Sequence, residues 1–225
     1  MTSAVGARAG VLAAALVCAA CGGKVPQTRY YQLVAAPHTQ AAGGTRVLVL
    51  DTLSTDAAYD DERIVYRTTP FRLDYYQYQR WSSTPGVMVS NYLEQAFEAS
   101  GKFRAVVREM TPEAPVVLSG RVIAIEEVDR SRTEWLGRIV IELVLTDART
   151  GEAIWAEQLE ETEPLHQQSP EGLAAALSVA MSRITTHTVP IVADLSERQA
   201  SAHAELPNRY PIDIRTEPRA RSADR

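Results

Sequence analysis

Three adjoining carboxylates, Asp60-Asp61-Glu62, are the first residues in this chain whose types could do chemistry. Neighbouring carboxylates shift one another's pKa, and such a cluster can transfer protons or hold a cation. A solvated acidic loop has the same composition, and that reading is the commoner one. The four histidines, His38, His166, His187 and His203, are scattered with no His, Cys or Glu at ligand spacing, which argues against a zinc centre. There is no Gly-x-Ser-x-Gly elbow, no phosphate-cradling glycine loop and no dinucleotide fingerprint. The expectation is therefore no catalytic residue, no cofactor and no metal. Cys18-x-x-Cys21 could form a redox pair in a folded domain, but it lies in the leader with no strand-helix unit to present it.

A second kind of chemistry is recognition. Residues Tyr59 to Trp81 hold seven of the fifteen aromatic residues of the chain, interleaved with charges of both signs. Tyrosine combines a large apolar ring with a polar tip and suits a surface that is partly buried and partly wet. Arginine, tyrosine and tryptophan also dominate binding energy at interfaces. Tyr59, Arg63, Tyr66, Arg67, Tyr76, Tyr78, Arg80 and Trp81 are accordingly read as a protein-docking or self-assembly face, with Asp60 to Glu62 as its solvated rim.

The amino terminus says where such a face would work. Met1 to Ala20 contains one basic residue, no acidic residue and an apolar run from Ala9, the pattern of a secretory signal peptide. Cys18-Ala-Ala-Cys21-Gly-Gly resembles a bacterial lipobox, with Cys21 as the lipidated residue, although Cys18 stands where that pattern prefers leucine. Residues 21–28 then form a lipidated tether. Gly22, directly after the anchor, resembles the outer-membrane default. With the leader removed, 22 basic residues face 28 acidic ones, a balance that disfavours a nucleic-acid partner. Anchoring must come from lipid, since no polybasic patch is present. Beyond Cys21 there is no further cysteine, so stability must come from a packed core.

The elements that position the aromatic stretch follow from periodicity. Strands are expected at Arg29–Val34, Thr45–Leu53, Ile64–Arg67, Leu73–Tyr78 and Phe103–Val107, with the pair flanking Pro70 reading as a hairpin or edge. Val116–Val128, Ile139–Thr146 and Ala153–Leu159 form a meander, with Gly151 in its second turn. Trp135 and Trp155 sit within it as packing residues. Thr84-Pro85 and Ser169-Pro170 each start a helix by a cap followed by proline. Gly101 closes the first helix, and Pro190 should kink or end the second. Residues 198–225 read as a disordered polar tail. The order predicts one α+β domain over 29–197, a mostly antiparallel sheet with two main helices packed on one face.

Tyr30-Tyr-Gln-Leu, Asp61-Glu-Arg-Ile-Val-Tyr-Arg, Tyr76-Gln-Tyr-Gln-Arg-Trp and Ser100-Gly-Lys-Phe together resemble the ABC-type transport auxiliary lipoprotein family, including its paraquat-inducible protein C group. The resemblance covers about Cys21 to Leu195. It implies a non-enzymatic component of an envelope lipid-transport system, anchored in the outer membrane and facing the periplasm. Its partners would be a periplasm-spanning MCE-domain protein with an inner-membrane permease and ATPase. A structural lipoprotein of outer-membrane barrel or lipopolysaccharide assembly is the alternative, and a hydrolase using Asp60, Asp61 or Glu62 the third. Cys21→Ala is expected to abolish incorporation of radiolabelled palmitate and release the protein to the soluble periplasm; label that persists in this variant would place the anchor elsewhere.

Overall fold

The structure, a computed structural model, describes residues 26–35 and 43–205. The expected signal peptide, Cys21, the start of the expected tether and residues 206–225 lie outside that range.

Two long, regularly alternating strands form the centre of the sheet. β7 (Val116–Asp129) and β8 (Trp135–Asp147) pair antiparallel along their whole length, and β9 (Ala153–Pro164) adds to the other side of β8. Gly151, at φ 74°, makes the β8–β9 turn expected of it. Along the free edge of β7 run three short strands in succession, each parallel to it. They are β2 (Val47–Leu50), β3 (Ser54–Thr55) and β4 (Arg63–Thr69). β5 (Arg72–Trp81) folds back antiparallel on β4, with the turn at Pro70 and Phe71. β1 (Arg29–Tyr31) lies parallel to β5, and β6 (Ala105–Val107) parallel to β2.

The α+β expectation therefore holds, with a mixed sheet. The three antiparallel ladders are the long ones, while each parallel pairing registers only two or three residues. The single strand expected at Thr45–Leu53 divides into β2 and β3. Their separation lets Leu53 turn inward, where its N–H donates to Ser90 Oγ at 2.8 Å.

Both helices cover one face. α1 (Pro85–Ala99) starts at its proline as expected, but the Thr84 side chain makes no capping bond. α2 (Pro170–Glu205) is capped by Ser169, whose Oγ accepts the Gly172 N–H at 3.0 Å. Gly137 on β8 allows close approach, since a Cβ there would lie 3.2 Å from Leu177 Cγ and 3.3 Å from Ala176 Cβ. Leu173, Leu177, Ala180, Met181 and Ile184 are buried beneath α2, each large side chain contributing about 1.5–3 kcal/mol by leaving water. Arg183 bonds Glu161 at 2.7 Å and Glu163 at 2.8 Å, tying the helix to β9.

Two expectations are corrected along α2. Pro190 does not end it, because Val189 and Val192 are buried on either side of the missing donor and packing offsets the lost hydrogen bond. Nor does order stop at Glu197, since Arg198–Glu205 is helical. The reason is Asp147, buried at the end of β8, which accepts from Gln199 and lies 2.8 Å from His203 Nε2. Burial raises the pKa of Asp147, but the His203 contact and the Thr150 and Arg149 amides outweigh that and hold it below its ordinary value. Asp147→Ala should cost roughly 1–3 kcal/mol and raise amide hydrogen exchange over 198–205; unchanged protection there would show that the helix end is held by something else.

Candidate docking face

Sheet register sorts the aromatic stretch onto two sides. Gly137 faces α2, and it is paired with Glu127, which is paired in turn with Tyr66. Tyr66 and Glu127 therefore lie on the helix side, and their neighbours Val65, Arg67 and Glu126 on the open side. Tyr76 joins the helix side, with its ring centroid 4.9 Å from that of Tyr66. β5 is irregular opposite Arg63 and Val65, so side chains beyond Tyr76 do not continue its alternation.

On the open side, Glu126 is fully buried yet completely partnered. Tyr59 donates to it at 2.7 Å, Arg67 Nε and Nη2 at 3.1 Å, and Arg138 Nη1 at 2.9 Å. Arg138 also bonds Glu160 at 2.7 Å, and Arg67 bonds the Pro70 carbonyl at 2.8 Å. Burial and the bond to Glu126 push the Tyr59 phenol up to about 12. Tyr59 and Arg67 thus hold the fold together, and a partner could not use Tyr59 without opening the structure. Trp81 is the clearer correction. It is 1 % exposed and packs in the core, because β5 delivers it to the helix side just before α1 begins.

On the helix side, Glu127 is also fully buried, and it pairs with no cation among the described residues. The Tyr76 hydroxyl donates to its carboxylate at 3.3 Å. Burial first, then the hydrogen bond and charge of Asp129, raise the Glu127 pKa to about 7. Asp129 Oδ1 is itself buried without a partner among the described residues. Neither Glu126 nor Glu127 figured in the sequence reading, since an acidic pair within a strand of apolar residues carries no spacing signal.

The acidic rim does not converge. Asp60 is exposed, whereas Asp61 accepts the Arg63 amide at 2.8 Å and pairs with the Arg63 guanidinium at 3.0 Å and that of Arg80 at 3.8 Å. The Arg63 amide is the main cause of its lowered pKa. Glu62 contributes its carbonyl to the Trp81 N–H. Among the described residues no three His, Cys, Asp or Glu side chains are grouped to hold a metal.

What remains accessible is a compact arginine–tyrosine patch. Arg63 pairs with Arg80 across β4 and β5, and Arg80 with Tyr30 across β5 and β1. Tyr30 is 62 % exposed. The Arg63 guanidinium lies 4.4 Å from the centre of the Tyr75 ring, a cation–π contact that holds both side chains ready. Tyr78, in the irregular part of β5, is half-buried. Neither Tyr30 nor Tyr75 was in the predicted face; the signal for Tyr30 lies in strand pairing with β5, which no local pattern reveals.

The architecture is thus a mixed sheet with two helices on one face and an arginine–tyrosine patch on the other. The chain belongs to the family described as ABC-type transport auxiliary lipoprotein component, which it matches over residues 31–189. It is similar in fold to a Xanthomonas campestris protein of the DUF330 family, with 21% identity and a TM-score of 0.64, over 78% of this chain and 99% of that one. A second solved structure, of an uncharacterized protein, shares 13% identity with a TM-score of 0.62, over 74% and 99%. No curated protein matches the chain.

The buried Glu127 sets a pH dependence. Its folded pKa of about 7 exceeds the ordinary 4.5, so the folded state binds the proton more tightly. Its contribution to stability is greatest below the unfolded pKa and is lost as pH rises through about 7. Glu127→Gln, neutral at every pH, should flatten the stability profile between about pH 5 and 8 and raise stability at the upper end by roughly 1–3 kcal/mol. Urea unfolding at several pH values measures this, and parallel profiles for the two proteins would refute it.

Proposed function

We propose that this chain is a non-enzymatic lipoprotein of the outer membrane, anchored through Cys21 and facing the periplasm. There it docks the MCE-domain protein of an ABC-type envelope lipid-transport system whose permease and ATPase lie in the inner membrane. The observation that carries the docking role is the patch of exposed Tyr30 and Tyr75 with half-buried Arg63 and Arg80, on the open side of a well-packed sheet. These are the residue types that supply interface hot spots, and their geometry is fixed before binding, so little conformational entropy is lost on association. Arg67, Tyr66 and Tyr76 act behind it, holding the hairpin in place. The family supports a transport role, and the same patch would serve self-association if the protein acts as an oligomer.

The test is co-purification from detergent-solubilised envelopes. Tyr30→Ala combined with Arg80→Ala should reduce recovery of the MCE protein by about tenfold or more, corresponding to ~1.4 kcal/mol or above, with little change in thermal midpoint. Trp81→Ala serves as the contrast, destabilising the fold by about 3–5 kcal/mol through a core cavity. Undiminished recovery with the double variant removes the face. Recovery of a β-barrel assembly protein in place of the MCE protein would redirect the assignment to barrel assembly.

A further inference from the structure

The most exposed large apolar side chain is Phe71, 98 % accessible at the turn between β4 and β5. Thr68, Thr69, Pro70 and Arg72 around it are exposed as well. An apolar ring held fully in water has no role in the core. Arg67 fixes the turn by bonding the Pro70 carbonyl, and Arg72 stiffens it through Thr68 and Asp74. The ring therefore stands on a rigid hairpin.

Strand directions show what lies at this end. β4 runs parallel to β7 with Arg67 level with Val128, so the β4–β5 turn and the β7–β8 turn, Arg130–Glu134, emerge together. That second turn is wholly exposed and carries Arg130 and Arg132. Arg132 makes no ion pair among the described residues, and Thr68–Arg72 and Arg130–Glu134 together hold three arginines against one carboxylate, Glu134, with Asp74 and Asp129 on the adjoining strands, in a chain of net charge −5. β1 runs parallel to β5, with Arg29 level with Gln79. The amino-terminal end of β1 therefore faces the side of the hairpin turn. Eight residue steps separate Cys21 from Arg29, a reach of at most ~29 Å. Arg80 and Arg72, one residue beyond Gln79 and Phe71, pair with Arg63 and Thr69, six strand steps apart on β4, about 20 Å at ~3.3 Å each. A lipid on Cys21 can thus reach the level of Phe71. The far end of the sheet, where β8 turns into β9 at Glu152, lies in the opposite direction from Arg29.

We infer that the β4–β5 turn seats Phe71 in the headgroup region of the leaflet that holds the lipid anchor, with Arg72, Arg130 and Arg132 over the phosphates. This rests on the anchor reading above. An aromatic ring at the interface, flanked by arginines that keep their heads in the wet layer, is the usual composition of such a contact. It converts a flexible tether into an oriented one, because a lipid and a second contact together fix how the domain stands on the membrane.

The experiment uses the full-length lipidated protein in vesicles of phosphatidylethanolamine and phosphatidylglycerol. With Cys21 occupied by lipid, Phe71→Cys and Glu152→Cys each supply a single thiol for an environment-sensitive fluorophore. Brominated acyl chains should quench the label at 71 several-fold more than the label at 152. Equal, weak quenching at both sites in vesicle-bound protein overturns the proposal. So does a label at 71 that becomes shielded only when the MCE protein is added, which would assign the turn to a protein contact. Partition of the unlabelled protein into the aqueous phase of a Triton X-114 separation is a distinct result, which removes the anchor itself and the oriented contact with it.

Discussion

Glu126 is the residue on which the arrangement of the patch depends. A carboxylate without solvent access is tolerated only if its charge is balanced and its lone pairs are used. Here the donors come from three places that have no other reason to meet: Tyr59 in the loop before β4, Arg67 on β4 and Arg138 on β8. β4 is held to β7 by a short parallel ladder of three registered pairs. That ladder is a weak determinant of register, and the Glu126 cluster supplies what it lacks. Removing one partner from such a group leaves a buried charge short of compensation, at about 3–5 kcal/mol, so the cluster acts as a lock on the position of the hairpin. Arg67 then passes that constraint on to the turn through the Pro70 carbonyl.

Glu127, the next residue, shows the opposite treatment of the same side chain. Strand alternation turns it to the helix side, where it meets Tyr76, Asp129 and apolar surface instead of arginine. Two adjacent carboxyls in one strand, both without solvent contact, are thus given different partners by the two faces of the sheet. The contrast follows from period-two geometry alone, and it explains how one strand can join a charged open face to a core.

How much of this was legible in the sequence depended on whether the determining contacts are local. The meander, both helix starts and the Gly151 turn follow from periodicity and turn chemistry within a few residues, and each stands where expected. Trp81 was misplaced because its stretch is rich in residues suited to interfaces, and composition cannot say which side of a sheet a strand shows. A β-bulge on β5 decides that, and it has no marker in Tyr76-Gln-Tyr-Gln-Arg-Trp. The extension of α2 past Glu197 was invisible for a related reason. Arg198–Glu205 is polar and lacks an apolar stripe, and it is held by Asp147, some fifty residues away in the chain. Tyr30 joins the patch through β1–β5 pairing across a similar separation.

The short parallel strands place the patch relative to the rest of the molecule. In a sheet built only from hairpins, the chain that leads into β1 could approach from either end. Because β1 is parallel to β5, the two strands run in the same direction, away from the pole that the β4–β5 turn and the β7–β8 turn share. α2 runs from that pole, where Leu173 packs on Gly137, to the opposite one, where His203 meets Asp147. The arginine–tyrosine patch lies between the poles, on the side that neither helix covers. A partner approaching it would meet the flank of the domain and neither pole.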